Sequence, residues 1–211
     1  MRSLARPALA GLAGLGLVGA VLAVLGFAPG PALAALLAGS VGSPAAWTAT
    51  LLKASPLLLT GLAVAFSFRC GVWNIGAEGQ LLVGALCATA VATRSPSALP
   101  APVLLGAALL AGVAGGALLG ALAGALRALR GVSEVITTIL LNFVAIQLVA
   151  LGVHGALQEA AGAYPKSDPF PVMLPAFGRL HLGIAAALAA AGAVQVLVFR
   201  SAFGFRARAV G

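Results

Sequence analysis

The chain has 211 residues, 62% of them hydrophobic and 8% charged, with a mean hydropathy of +1.13. A soluble domain carries about 25% charged residues, and the 12 basic and 4 acidic side chains here cannot cover a globule of this size. A water-soluble enzyme, a disordered chain and a disulfide-stapled secreted domain are thereby excluded, which leaves an all-α, polytopic membrane bundle in contact with a lipid bilayer. The net charge of +8 does not point to nucleic acid, because the basic residues fall singly or in pairs between long apolar runs.

A helix needs about 20 apolar residues to cross the hydrocarbon core. Six segments are candidates for transmembrane helices: residues 8–28, 51–68, 75–93, 102–126, 135–153 and 182–199. The first follows Arg2 and Arg6 and precedes Ala32-Leu33-Ala34, a pattern that resembles a cleavable signal peptide. Its apolar run of about 21 residues exceeds the usual signal core, and more spans follow, so an uncleaved helix is expected. Gly14-Leu15-Gly16-Leu17-Val18-Gly19 matches a dinucleotide-binding pattern, but inside a span it reads as helix packing. Pro29-Gly30-Pro31 is expected to break the chain.

In the second span, Lys53 and Arg69 bracket 15 residues, a rise of about 23 Å as helix and short for a bilayer. Asn74 then offers an N-cap for the third span, with Glu78 four residues on along the same face. A carboxylate in a span is expected to face the protein interior or a watery cavity. Two readings stand: an interfacial turn with Glu78 paired to Arg69, or a discontinuous helix whose break lines a transport path.

Ser95-Pro96-Ser97 marks the next break. The fourth span carries Gly112, Gly116, Gly120 and Gly124, one face spaced by four, as tight helix packing requires. The fifth opens on Glu134, Thr137, Thr138 and Asn142, one polar side, with Ser133 as the expected cap. That side serves interhelical hydrogen bonding or lines a pathway, and could form an inner gate. Residues 164–175 hold four prolines and form a connector. His154 and His181 lack partners at metal spacing, Cys70 and Cys87 make no framework, and Ser67 and Ser133 have no nearby histidine, so neither a metal site nor a hydrolytic site is expected.

With the N-terminus in the cytoplasm, the inner side receives Arg2, Arg6, Arg69, Arg127, Arg130, Arg200, Arg206 and Arg208. The outer side receives only Lys53, Arg94, Lys166 and Arg179, together with Glu159 and Asp168. That asymmetry favours a cytoplasmic N-terminus.

Three ordered blocks carry a family resemblance. The first is Phe66-Ser67-Phe68-Arg69-Cys70-Gly71-Val72-Trp73-Asn74-Ile75-Gly76-Ala77-Glu78-Gly79-Gln80-Leu81-Leu82-Val83-Gly84. The second is Val132-Ser133-Glu134-Val135-Ile136-Thr137-Thr138-Ile139-Leu140-Leu141-Asn142, and the third Phe203-Gly204-Phe205-Arg206-Ala207-Arg208-Ala209-Val210-Gly211. Together they resemble bacterial ABC-transporter inner-membrane permeases of the nucleoside and simple-sugar uptake type, relatives of the branched-chain amino-acid permeases. Trp73 stands where another apolar residue is more familiar.

The resemblance implies a multi-pass transport subunit of the inner membrane with no covalent chemistry and no cofactor of its own. ATP and Mg would be held by partner ATP-binding subunits, beside a second permease subunit and an external substrate-binding lipoprotein. The chain would be a single permease domain over residues 1–211, C-terminally incomplete, with residues 200–211 opening a cytoplasmic coupling loop. Gly204, Arg206 and Arg208 would meet the ATPase. Asn74, Glu78 and Gln80 are the pathway candidates, and Glu134 and Asn142 the gate or packing residues. A nucleoside is the leading solute, a simple sugar the next and a branched-chain amino acid the third. An ion-coupled secondary transporter and a truncated, non-transporting membrane protein are the alternatives.

Overall fold

The computed structural model describes residues 2–96 and 99–210, with side chains from residue 9 to residue 209 of these. Ser97 of the predicted break, the side chains of Arg2 and Arg6, and Gly211 of the third block lie outside the described residues. Among the described residues the regular secondary structure is helical apart from one short hairpin. Two compact units make up the chain, Met1–Lys53 and Ala54–Gly211.

The first unit holds α1 (Arg2–Val24), α2 (Pro29–Val41) and the start of α3 (Pro44–Arg69). Gly14 to Gly19 are inside α1, and Gly19 faces Leu33 and Pro29 of α2. Gly26, at φ +82°, ends α1, with the Phe27 N–H donating back to the Leu22 carbonyl at 2.9 Å. The expected break at Pro29-Gly30-Pro31 is instead the first turn of α2. Proline costs nothing there, because its missing N–H would have had no intrahelical partner. In the same way Ser43 precedes Pro44 at the start of α3, its Oγ accepting the Ala46 N–H at 3.1 Å.

The second correction concerns α3. It runs through Lys53 and Pro56 for 26 residues, about 39 Å at 1.5 Å per residue. The second span is therefore not short, and the break falls after it. α3 stops at Gly71, φ +66°, where the Val72 N–H reaches the Ser67 carbonyl at 3.0 Å. Residues 72–76 are then non-helical before α4 (Ala77–Arg94) begins.

α5 (Ala101–Arg130) and α6 (Glu134–His154) complete a three-helix core in which α4 packs on both and they pack on each other. Gly131, φ +65°, closes α5. The hairpin β1 (Ala176–Phe177) and β2 (Leu180–His181) pairs antiparallel around Gly178, and α7 (Gly183–Arg200) and α8 (Ala202–Val210) follow. The connector ahead of the hairpin is held by the Lys166–Glu159 ion pair at 3.1 Å and by Asp168, which accepts the Ala160 N–H.

α3, α5, α6 and α7 are each long and apolar enough to cross a membrane. α4, 18 residues with Glu78, Gln80 and Arg94 among them, is not in that set, and α2 is a shorter apolar helix. Large apolar side chains such as Leu110, Leu118 and Phe143 are exposed along the spans, as lipid-facing surfaces require. The chain is an all-α membrane bundle.

Candidate functional site

The non-helical stretch between α3 and α4 has backbone groups to satisfy, and buried polar backbone in a membrane must find partners within the protein. One stripe of α6 supplies them. Glu134 Oε1 accepts the Trp73 N–H at 3.4 Å, Thr138 Oγ1 the Ile75 N–H at 3.3 Å, and Asn142 Oδ1 the Gly79 N–H at 2.8 Å. Asn142 also donates from Nδ2 to the Ile75 carbonyl at 2.9 Å. These three side chains are four residues apart, so they rise one above another along the helix and follow the extended chain opposite.

The approach is close enough to specify glycine. A Cβ on Gly79 would stand 2.7 Å from Asn142 Oδ1, and one on Gly76 2.9 Å from Thr138 Cβ. Asn74 is not the N-cap of α4; Gly76 is. Asn74 folds back instead, its Oδ1 accepting the Gly76 N–H at 2.9 Å. Ser133 holds the N-cap position of α6 but makes no side-chain cap bond. Its carbonyl accepts both the Thr137 N–H and the Thr137 hydroxyl.

Asn74 and Gln80 then pair amide to amide. Asn74 Nδ2 donates to Gln80 Oε1 and Gln80 Nε2 donates to Asn74 Oδ1, each at 3.3 Å. The pair lies in a cleft of about 550 Å³ shared with Ser67, Glu134 and Thr138 and walled by Phe66, Gly120 and Gly124. Arg127 forms an ion pair with Glu134 at its edge.

Of the sequence candidates, the structure thus gathers Asn74, Gln80 and Glu134 around one cleft and sets Asn142 just beyond it, bonded to the backbone. Glu78 stands apart. It is exposed, does not line this cleft, and makes no ion pair among the described residues; Arg69 turns to the Phe199 ring instead.

The glycines of α5 divide likewise. Cβ atoms on Gly112 and Gly116 would meet the carbonyls of Gly84 and Gln80 at 3.3 and 3.0 Å, and one on Gly120 the Gln80 amide at 3.2 Å, whereas Gly124 has nothing within 4 Å. Sequence reasoning missed Gly84, whose Cβ would stand 2.8 Å from the Gly112 carbonyl, and Gly115, which lies against Cys87. It also passed over Arg127 except for its charge. Its place seven residues before Glu134, just across the Gly131 turn, was the available signal.

On α8, Gly204 is buried while Arg206 and Arg208 are exposed. Ser201 caps this helix, its Oγ accepting the Gly204 N–H at 2.9 Å.

Residues 46–211 match the family described as branched-chain amino acid transport system, permease component. The chain belongs to that family. The match takes in the break, its α6 partners and α8. Among relatives, the chain is 38% identical to a guanosine ABC transporter permease protein of Bacillus subtilis, over 77% of this chain and 48% of that one. It is 36% identical to a glucose ABC transporter permease protein of Haloferax volcanii, over 97% of this chain and 57% of the relative. A second Bacillus subtilis guanosine ABC transporter permease protein is 33% identical, over 77% of this chain and 54% of its own. The chain spans about half the length of these curated relatives. No solved structure matches it.

Proposed function

We propose that the chain forms part of the membrane-spanning permease of an ATP-driven importer for a small polar solute. It would sit in the bacterial inner membrane as a multi-pass protein, N-terminus inside, because arginine gathers at the ends of α3, α5 and α7. The cleft around the Asn74–Gln80 pair carries the reading. It is lined by the parts of α3, α5 and α6 nearest those arginines and presents amide donors and acceptors that a hydroxyl or a nucleobase edge can replace. Glu134 and Asn142 hold its wall, which suits a gate that keeps its backbone bonds. Glu78, exposed in the first turn of α4, is assigned to a path shared with a second permease subunit.

ATP and Mg belong to the partner ATP-binding subunits, which would dock on α8 through Arg206 and Arg208, with Gly204 setting its seat. An external lipoprotein would deliver the solute. Bacillus subtilis holds two of the relatives, both named for guanosine, which supports a second, non-identical permease partner. A nucleoside is the first solute to test. A simple sugar is the second, favoured by the glucose permease relative that aligns with 97% of the chain.

The test is uptake by the full-length gene product reconstituted with its ATP-binding partners. ATP-dependent guanosine accumulation is expected, with glucose as the comparison. Accumulation driven by an ion gradient without ATP would replace this reading with a secondary carrier.

A further inference from the structure

An aromatic–cationic cluster joins α8 to the ends of α3 and α7. α7 and α3 do not close against each other along their length; a gap of about 200 Å³ lies between them. At the arginine-rich end they are bridged by side chains. The guanidinium carbons of Arg69, the last residue of α3, and of Arg208 on α8 both lie over the ring of Phe199 on α7, at 5.5 and 5.2 Å from its centre. Phe203 of α8 stacks on Phe66 of α3, with centres 6.5 Å apart and planes within 5°. Arg208 is steadied by its own helix, Nε donating to the Gly204 carbonyl at 3.3 Å.

Phe66 is common to both regions. It lines the gap beside α7 and also the cleft that holds Asn74 and Gln80. Arg69 is followed directly by the Gly71 turn and the stretch that ends at Asn74. A ring attracts a guanidinium through its quadrupole and keeps that attraction as the groups slide across its face, so such a contact can stay engaged while the helices shift.

We propose that Phe199 is a positioning residue, the pivot on which Arg69 and Arg208 hold the end of α3 to α8, so that α8 sets the position of residues 70–76, which bring Val72 and Asn74 to the cleft. The proposal rests on the importer reading for what moves α8, but not for the pivot itself.

Native Cys70, half-buried and next to Arg69, reports on the pivot without any transport assay. In membranes holding the full-length protein with its partners, maleimide labelling of Cys70 is followed by peptide mass spectrometry. Cys87 of α4 serves as the control for intact packing. Phe199→Leu, which keeps the apolar bulk and removes the ring, is expected to raise the Cys70 rate about threefold or more with Cys87 unchanged. Phe199→Trp is expected to stay within about twofold of the native rate. Adding Arg208→Met to Phe199→Leu should give no further rise, since the loss of the ring has already removed the Arg208 contact.

Unchanged Cys70 labelling in Phe199→Leu overturns the pivot. Equal rises in the Leu and Trp variants also overturn it, because shape rather than the ring face would then decide. A rise in Cys87 as well would mean general loosening of the bundle and would count against it. Labelling as expected, in a protein whose uptake proves independent of ATP, keeps the pivot and removes the importer reading.

Discussion

Asn142 satisfies two backbone groups with one amide: the N–H of Gly79 and the carbonyl of Ile75. Each buried polar group left without a partner costs about 1–3 kcal/mol. Asn142→Ala is therefore expected to lower the thermal midpoint in detergent clearly, and Asn142→Asp as well, because a carboxylate still accepts from Gly79 but sets a charged oxygen against the Ile75 carbonyl. Equal midpoints for the native protein and the Ala variant would show that the amide is not what holds the break. Glu78 makes the opposite case. No ion pair or hydrogen bond among the described residues depends on its carboxylate, so Glu78→Gln should insert and melt like the native protein. Uptake should fall several-fold if the carboxylate faces the solute. Native uptake at equal membrane levels would remove Glu78 from the path. The sequence already showed that these were polar residues in an apolar span. It could not show which way each faces, because the helical period tells which residues share a face and not which neighbour that face meets.

At the scale of elements, α4 and α5 approach through glycine at particular points rather than along a whole stripe. A methyl at Gly84 would stand 2.8 Å from the Gly112 carbonyl, a backbone atom that cannot swing aside, while Gly124 has open space. Gly84→Ala is expected to destabilise the bundle by about 1–3 kcal/mol through overpacking. Gly124→Ala should be neutral or stabilising by up to about 1 kcal/mol, since alanine is the better helix former. Urea-induced unfolding in detergent, followed by helical circular dichroism, separates the two, and the same sign for both would contradict the packing described. The ladder at Gly112, Gly116, Gly120 and Gly124 was legible as a repeat of four. Gly84 was not, because its significance lies in what stands across from it. Helix ends followed the same logic. Gly71 and Gly131 mark turns by type, but Pro29 and Pro44 begin helices, and only the chain geometry distinguishes a proline that starts a turn from one that ends it.

At the scale of the whole molecule, the distribution of arginine predicts a topology that can be tested directly. Cys70 follows the last residue of α3, at the arginine-rich end. A membrane-impermeant maleimide should label it in inside-out vesicles and leave it unmodified in right-side-out ones, while trypsin added to the outside should cut at Lys166 in the connector. The reverse pattern would invert the bundle and place the cleft on the outer side. Composition alone established that the solvent of this chain is largely lipid, because 12 basic and 4 acidic residues cannot cover a soluble surface, and three ordered motifs established the family resemblance. Tertiary structure alone decided that α3 runs unbroken from Pro44 to Arg69, that one stripe of α6 carries the backbone of residues 73–79, and that Phe66 touches both the cleft and α8. Those outcomes depend on contacts between residues up to 137 positions apart, and a local pattern specifies a helix and its faces but not the partner that buries them.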